Sequence, residues 1–340
     1  MKQIAIGIDI GGTNTAIGVV DREGNVLYEL QPQLPTPQKK ENPNMTEKRS
    51  DELCAGYVTE LAAEVRVAIE TVKKINPDIQ VMGIGIGAPN ANYYRGTIEV
   101  PANLPFVGVI HFADLLQAKL PEINIIKLTN DANAAALGEM IYGGGIGMKN
   151  FVMITLGTGL GSGIIVDGDL VYGQDGFAGE LGHTTLVPDG RLCGCGGIGH
   201  LEAYCSATGI RRNVFEILAK TNNSESPLAN VPFNDMTAKM VYDAAEQNDP
   251  IALEVFRYTG ELLGRSLADT VHYLSPEAIF LFGGAAAAGD FIFKPTKESM
   301  ERYLLPVYRN KVQILPSGLK AGSAAIVGAS ALVWKELDKL

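Results

Sequence analysis

The side chains best suited to metal binding are concentrated between residues 183 and 200. Cys193 and Cys195 stand one residue apart among glycines, with His183 before them and His200 after them. Two thiolates and two imidazoles form a closed tetrahedral set that suits a structural zinc ion. Cys205 is an alternative ligand for one position. We therefore predict a zinc site, because four cysteines in this arrangement are too few and too clustered for a disulfide framework.

Two glutamates, Glu180 and Glu202, bracket this cysteine and histidine cluster. A metal ion bound there would fix both carboxylates, which would then be good acceptors for the hydroxyl groups of a polyol. The alternative interpretation is that both glutamates are surface charges or helix caps.

Two glycine-rich turns could bind phosphate. The first, DIGGTNT (Asp9–Thr15), offers backbone N–H groups and the hydroxyls of Thr13 and Thr15, and the second is GTGLGSG (157–163). Neither turn has the lysine or the glycine spacing of a Walker motif or a dinucleotide fingerprint. Asp9 is a carboxylate of the kind that Mg²⁺ takes together with water and phosphate oxygens. Each turn alone could be a plain hairpin, but two in one chain favour phosphate binding.

A carboxylate that could act as a base follows the predicted strand IIKLT. Asn130 and Asp131 come directly before a predicted helix. Aspartate in that position is most often an N-cap, which satisfies free backbone N–H groups. The carboxyl ends of parallel strands are, however, also where α/β proteins place ligands and catalytic groups. If a hydroxyl must attack a phosphoryl group, Asp131 is the natural general base.

The elements that position these residues alternate between strands and helices. Residues 4–10, 16–21 and 26–30 predict strands joined by turns, and the same pattern restarts at Phe151, with 157–163 as its turn. When the two hairpin sequences are aligned, Gly11 corresponds to Gly157, Gly12 to Thr158, Val20 to Val166 and Asp21 to Asp167. This overlay suggests a duplicated α/β unit. Further strands are predicted at 80–89, 125–129 and 278–282, and helices at 57–74, 132–143 and 321–340. The alternation implies a mainly parallel sheet.

Residues 31–52 interrupt this pattern. They are polar, carry three prolines among their first seven residues and contain almost no apolar anchors. We predict a mobile loop or lid here, and a plain surface insertion is the alternative.

Composition and charge exclude several classes of protein. The chain has 340 residues, of which 46% are hydrophobic, so it can bury a large core and is not mainly disordered. Its 28 basic and 38 acidic residues give a net charge of −10, which disfavours nucleic acid and membrane as partners and favours a small-molecule ligand. No apolar run is long enough to span a bilayer, and Asp9 would interrupt a signal peptide, so we expect a cytoplasmic protein.

The motifs together resemble those of the ROK family, which groups bacterial sugar kinases with sugar-sensing repressors. The resemblance runs from about residue 4 to the C-terminus and rests on DIGGTNT, LTNDANAAALGE, LGTGLGSGIIVDGDLVYG, and GELGH followed by CGCGGIGHLE. It implies an α/β, actin-like (ribonuclease H-like) ATPase fold, with two lobes around a cleft that binds ATP and Mg²⁺. We expect residues 1–130 to form one lobe and 131–340 the other, and it is open whether the C-terminal helix returns to the first.

The resemblance also implies roles for individual residues. Asp131 would be the base for a sugar hydroxyl, typically that on carbon 6, and His183 would present one ring nitrogen to zinc and the other to the sugar. The family's sugar-contacting positions correspond to Asn103, Asn130, Asp131, Glu180, His183 and Glu202. The ATP-binding positions correspond to Asp9, Gly11, Gly12, Thr13, Asn14, Thr15, Gly157, Thr158 and Gly159, with Gly283 and Gly284 in the adenosine motif.

Three positions depart from the family pattern. His200 replaces the usual third zinc cysteine, which leaves the ligand set His183, Cys193, Cys195 and His200. Asn90 replaces a glycine that usually follows the proline of the sugar loop, and Asn92 replaces a nearby aspartate.

These observations predict an ATP-dependent kinase that phosphorylates the 6-hydroxyl of a hexose, with glucose as the leading substrate and structural Zn²⁺ in addition to Mg²⁺. Alternative substrates are N-acetylmannosamine, N-acetylglucosamine, fructose and allose. A sugar-responsive repressor is the alternative from another class, although the first phosphate motif begins too early to leave room for a preceding helix-turn-helix domain. A sugar-binding protein without activity is a further alternative. The resemblance also implies a homo-oligomer, either a dimer or a tetramer.

Overall fold

The computed structural model describes residues 1–41, 44–101, 103–221, 225–320 and 322–339. The strands in these residues are β1 (Lys2–Ile10), β2 (Asn14–Asp21), β3 (Val26–Glu29), β4 (Leu34–Pro35), β5 (Ile79–Gly87), β6 (Ala91–Asn92), β7 (Thr97–Glu99), β8 (Val109–Ile110), β9 (Ile126–Thr129), β10 (Phe151–Leu156), β11 (Leu160–Val166), β12 (Asp169–Leu170), β13 (Ala278–Phe282) and β14 (Gln313–Pro316). The α-helices are α1 (Glu47–Ile75), α2 (Phe112–Lys119), α3 (Asp131–Tyr142), α4 (Glu202–Cys205), α5 (Ala207–Thr221), α6 (Ala238–Glu246), α7 (Pro250–Leu274), α8 (Asp290–Tyr303) and α9 (Ala324–Leu337). Within the described ranges, no helix has the length and apolar character required to cross a membrane.

The chain divides into two compact units. The first comprises residues 1–147, 170–178 and 318–340, and the second comprises 148–169 and 179–317. This division differs from the predicted boundary at residue 130, because α3 and residues 170–178 also belong to the first unit. Helix α9 belongs to the first unit as well, which was the possibility left open for the C-terminal helix. Helix α3 packs on α9 so closely that a Cβ added to Gly138 would lie 2.8 Å from the Cα of Gly328.

The first unit is built on a sheet with the order β3-β2-β1-β5-β9, and β4 pairs with the outer part of β2. Strands β1 and β2 form an antiparallel hairpin, whereas β1, β5 and β9 run parallel. Isoleucines alternate along β1 and β5 and form, with the buried side of α1, a hydrophobic core. A small sheet of the order β6-β7-β8 follows β5.

Helix α9 covers the opposite face of the same strands. Small residues alternate with the isoleucines there, because successive side chains of a strand point to opposite faces. A Cβ added to Gly7 would lie 1.8 Å from the carbonyl oxygen of Ile326, and one added to Gly85 would lie 1.9 Å from that of Ala329. The glycines therefore allow the helix backbone to lie directly on the sheet.

The second unit contains a sheet with the order β12-β11-β10-β13-β14. Strands β10 and β11 are antiparallel, and β10, β13 and β14 are parallel. Strand order and direction therefore repeat those of the first sheet, as a duplicated α/β unit predicts.

The predicted overlay of the two hairpins is wrong by one residue in their second strands. Val20 pairs with Ala5 in the first hairpin, and Ile165 pairs with Phe151 at the equivalent place in the second. Val20 therefore corresponds to Ile165 and not to Val166, because the second turn is one residue shorter.

The predicted turn over 157–163 is also too long, since β11 begins at Leu160. The glycines of GTGLGSG suggested a loop, but pairing with β10 and burial of Leu160 continue the strand through them.

The prediction of a loop over 31–52 is wrong for residues 47–52, which form the start of α1. Thr46 caps this helix, since its hydroxyl accepts a hydrogen bond from the backbone N–H of Arg49 at 3.4 Å. The residues in the first turns of the helix are mostly polar, so this part of the sequence resembles a loop. Residues 42 and 43 of the segment lie outside the described residues, as do residues 321 and 340 of the predicted closing helix.

Candidate functional site

Asp131 lies where β9 ends and α3 begins. The cap of α3 is Asn130, whose side chain accepts a hydrogen bond from the backbone N–H of Asn133 at 2.7 Å. The alternative that Asp131 is the cap is therefore wrong. Asp131 is the first helical residue, its side chain is exposed, and one of its oxygens accepts a hydrogen bond from the N–H of Ala132 at 2.8 Å.

Asp9 and Asp131 form an acidic pair within the first unit. Burial, and next the charge of Asp131, raise the pKa of Asp9 to about 7. Desolvation also raises the pKa of Asp131, although solvent reaches this side chain and the N–H of Ala132 opposes the shift. Two neighbouring carboxylates whose pKa values are both raised favour a bound cation or a proton. This pair could therefore hold Mg²⁺ through Asp9 and leave Asp131 to accept a proton.

The raised pKa of Asp9 makes stability depend on pH. The group titrates near 3.8 in the unfolded chain and near 7 when folded, so between these values the folded state binds more protons. The free energy of unfolding contributed by Asp9 therefore falls as pH rises across this window. We expect Asp9→Asn to raise Tm above the wild-type value at about pH 8 and to raise it little at about pH 4. Thermal scans in metal-free buffers measure this, and a Tm difference that stays flat with pH would contradict it.

The first phosphate hairpin, the turn between β1 and β2, contacts the predicted sugar loop, residues 89–107, which carry Asn90, Asn92 and Asn103. The N–H of Gly11 donates to the carbonyl of Asn14 at 3.1 Å, while Thr13 and Asn14 are exposed. A Cβ added to Gly12 would lie 3.4 Å from the Cβ of Asn103. The fold therefore brings Asn103 beside this turn.

The predicted phosphate contact by the Thr15 hydroxyl is not supported. Thr15 is fully buried, and its hydroxyl forms hydrogen bonds with the hydroxyls of Thr36 and Tyr57. The signal was present in the sequence, because Thr15 shares the parity of the buried Ile17 and Val19 along β2.

Two residues of the 31–52 segment support the neighbouring turns, and we did not predict them. The N–H of Thr36 donates to the carbonyl of Thr13 at 2.9 Å, and the hydroxyl of Ser50 accepts a hydrogen bond from the N–H of Val107 at 2.9 Å. No local sequence pattern identifies either contact. The described part of this segment thus supports both the first phosphate hairpin and the sugar loop.

The two asparagines that depart from the family pattern have structural explanations. Asn90 has a φ of 53°, and asparagine is one of the few residues besides glycine that tolerates this region. Asn92 is fully buried, donating to the carbonyl of Asp175 at 2.7 Å and accepting from the N–H of Tyr94 at 3.1 Å. Both asparagines therefore stabilise the backbone of the sugar loop.

In the second unit, the four predicted zinc ligands lie together. One ligand atom from each of His183, Cys193, Cys195 and His200 falls within 4.8 Å of the others. The Nδ1 atoms of His183 and His200 lie 4.0 and 3.2 Å from the Sγ atoms of Cys193 and Cys195, respectively. Nitrogen–sulfur edges of a tetrahedral zinc site measure about 3.6 Å. The donor set and spacing therefore fit zinc.

Two neighbours of the cluster, Glu180 and Cys205, bear on the predicted ligand set. The Nε2 atom of His183 lies 3.9 Å from a carboxylate oxygen of Glu180, so its two ring nitrogens face different groups. Cys205 is fully buried outside the cluster, and its thiol points to the carbonyl of Thr259 at 3.6 Å. Cys205 is thus not an alternative ligand in this structure.

Glu202 links the cluster to the second phosphate hairpin, residues 157–159. One carboxylate oxygen accepts a hydrogen bond from the N–H of Leu160 at 2.9 Å, and the other lies 3.2 Å from the Sγ of Cys193. Glu202 is therefore neither a free surface charge nor a cap of the usual kind. Thr158 is exposed at the tip of the hairpin.

The two glycines of the predicted adenosine motif differ in what their backbone requires. Gly283 has a φ of 104°, and a Cβ there would lie 2.6 Å from the carbonyl oxygen of Leu156. A Cβ on Gly284 would meet no atom within 4 Å. The backbone conformation and close packing at residue 283 therefore require glycine, whereas a side chain at residue 284 would have open space next to its Cβ.

We expect Gly284→Val to raise the KM for ATP about tenfold or more, a change equivalent to about 1.4 kcal/mol, while Tm stays at the wild-type value. The side chain would enter space proposed for adenosine, where an added Cβ meets no protein atom within 4 Å. Steady-state kinetics with ATP varied measure this. Gly56→Val is the control, since a Cβ on this exposed residue of α1 also meets no atom. An unchanged KM in Gly284→Val would remove Gly284 from the nucleotide site.

The family model described as "ROK family" matches residues 5–336. The chain belongs to the ROK family. It is 32% identical to a glucokinase of Thermotoga maritima over 98% of both chains, and 34% identical to a glucokinase of Halalkalibacterium halodurans over 98% of this chain and 96% of the relative. A crystal structure of a ROK family glucokinase from Streptomyces griseus, in complex with glucose and AMPPNP, matches with a TM-score of 0.75 and 32% identity, covering 98% of this chain and 99% of that one.

Membership in the ROK family confirms the predicted fold class. The fold is that of the actin-like ATPases, and its two sheets of matching strand order are the duplicated α/β units described above.

Proposed function

We propose that this protein is an ATP-dependent kinase that transfers the γ-phosphoryl group of ATP to the 6-hydroxyl of glucose. The observation that carries the proposal is the setting of Asp131, an exposed carboxylate of raised pKa at the start of α3 beside Asp9. Similarity to glucokinases over nearly the whole chain supports the same reaction and substrate.

In the proposed reaction, Asp131 accepts the proton of the sugar hydroxyl while the hydroxyl oxygen attacks the γ-phosphorus. The bond between the γ-phosphorus and the β,γ-bridging oxygen breaks, and ADP leaves. A pKa raised towards the working pH suits a general base. Phosphoryl transfer otherwise depends on positioning and charge stabilisation, which backbone N–H groups of the two phosphate hairpins provide. Mg²⁺ would neutralise phosphate charge when bound, and Asp9 is its proposed protein ligand. The sugar-binding residues in this proposal are Asn103, Asn130, Glu180, His183 and Glu202.

We further propose that the cluster of His183, Cys193, Cys195 and His200 holds one structural Zn²⁺. The protein is expected to act in the cytoplasm, without nucleic-acid or membrane partners, as a homodimer or homotetramer. Light scattering on the purified protein tests the oligomeric state.

A coupled ADP-release assay with Mg-ATP tests the proposed activity. The panel contains glucose, fructose, allose, N-acetylglucosamine and N-acetylmannosamine, because pocket shape distinguishes hydroxyl from acetamido groups. We expect the highest kcat/KM with glucose. Preference for another sugar would retain the reaction class and replace the substrate. Sugar binding without ADP release on any sugar would favour a sensor protein.

A further inference from the structure

We infer that residues 202–208, which we call the hairpin clamp, position the second phosphate hairpin, and that the zinc cluster holds the clamp in place. The clamp consists of the short helix α4, the connecting Ser206 and the first residues of α5. The inference rests on the proposed function for the identity of the ligand, which is the phosphate group of ATP.

Three hydrogen bonds join the clamp to the hairpin. The carboxylate of Glu202 accepts from the N–H of Leu160 at 2.9 Å. The N–H of Ala207 donates to the carbonyl of Gly157 at 2.9 Å, and the hydroxyl of Thr208 donates to the carbonyl of Thr158 at 3.1 Å. The clamp therefore contacts both ends of the turn and its tip.

The remaining residue of the turn also meets the clamp. A Cβ added to Gly159 would lie 2.5 Å from a carboxylate oxygen of Glu202, so only glycine allows this approach. Within the turn, the N–H of Gly157 donates to the carbonyl of Gly159 at 3.1 Å. A turn with two glycines has many accessible conformations, and the clamp reduces their number. The direction of its N–H groups thus depends on the clamp.

The clamp is in turn attached to the zinc cluster. The second carboxylate oxygen of Glu202 lies 3.2 Å from the Sγ of Cys193, and His200 precedes the clamp by two residues. The N–H of Leu201 donates to the carbonyl of Thr184, next to His183, at 3.0 Å. We therefore expect a rearrangement of the cluster to shift the clamp through His200 and Leu201 and to weaken the hydrogen bond between Glu202 and Leu160.

Thr208 allows this inference to be tested without disturbing the metal ligands. It is a positioning residue, because the hydroxyl contact joins it to the hairpin backbone. Thr208→Val keeps the shape of the side chain and removes the donor. The loss of one such bond should weaken nucleotide binding about fivefold. We expect the KM for ATP to rise by this factor, while the KM for glucose and the Tm stay unchanged.

Calorimetric titration with AMPPNP, which needs no turnover, provides the main test. It compares zinc-loaded wild type, Thr208→Val, zinc-stripped wild type and a control, Thr221→Val. Thr221 also lies on α5 and donates its hydroxyl to the carbonyl of Ile217 at 2.8 Å. We expect Thr208→Val to bind AMPPNP more weakly than wild type does, and the zinc-stripped protein to lose at least as much affinity for AMPPNP. The control should bind AMPPNP as wild type does.

Hydrogen exchange separates a local change from general unfolding. In Thr208→Val, only the backbone amides of residues 157–160 should exchange faster than in wild type. In the zinc-stripped protein, these amides should also exchange faster, together with others. Unchanged AMPPNP affinity and exchange in Thr208→Val would overturn the role of the clamp. Unchanged values in the stripped protein would overturn the role of the cluster. A wild-type protein that binds AMPPNP but releases no ADP would contradict the proposed function and not this inference.

Discussion

Turnover of the Asp131→Asn variant is expected to fall by about 10²- to 10⁴-fold, the usual contribution of a positioned general base. Asparagine has nearly the same shape and can still accept the hydrogen bond from the N–H of Ala132, so the start of α3 should be preserved. Glucose should therefore bind the variant with near wild-type affinity. The ADP-release assay measures the first effect, and calorimetric titration with glucose measures the second.

Asp114→Asn is the matched control, because Asp114 is an exposed aspartate in the first turn of another helix, α2. It should keep wild-type turnover. The wild-type kcat should also fall as pH drops through the raised pKa of Asp131, since the protonated carboxyl cannot accept a proton. Near-normal turnover in Asp131→Asn would assign the base to another group.

Of the changes considered for this protein, removal of zinc should lower the free energy of unfolding the most. Structural zinc contributes about 10 kcal/mol or more in zinc-finger peptides, and this cluster joins two segments, 183–185 and 193–200, which also pair through the isolated β-bridge between Thr185 and His200. We expect about one zinc ion per chain by elemental analysis. A strong chelator should then lower Tm, and added zinc should restore it.

Two cysteine variants make this test specific. Cys193→Ser should abolish stoichiometric zinc, whereas Cys205→Ser should retain it, because Cys205 is buried outside the cluster. A wild-type protein that carries no zinc and is indifferent to the chelator would show that the four side chains pack without a metal.

Local periodicity was sufficient to predict most of the fold. The sequence pattern predicted both β1 and β5 as strands, whereas their two packing faces became evident only in the structure. Errors arose where tertiary contacts override a local signal. Pairing with β10 extends β11 through glycines that suggested a turn, and the polar first turns of α1 resembled a loop. The assignment of α3 and α9 to one unit depends on contacts far apart in sequence.

The candidate site shows the same limit at the level of side chains. The spacing of Cys193, Cys195, His183 and His200 was sufficient to predict a metal-binding cluster, because two thiols and two imidazoles so close in sequence are typical of a zinc site. Spacing could not show which of Asn130 and Asp131 caps α3, because one residue of shift exchanges their roles. Thr36 and Thr208 were missed because a single hydroxyl that supports a backbone carbonyl leaves no pattern in one sequence.

The packing of α9 on β1 and β5 also affects the order in which the protein can form during synthesis. The face of the first sheet that carries Gly7 and Gly85 has no cover until residues 324–337 leave the ribosome. Most of the second unit, residues 179–317, is translated before that helix. The second unit can therefore complete its core first. During this time the face of the first sheet that α9 will cover remains exposed. Chaperone capture of nascent chains should accordingly fall sharply once α9 has emerged.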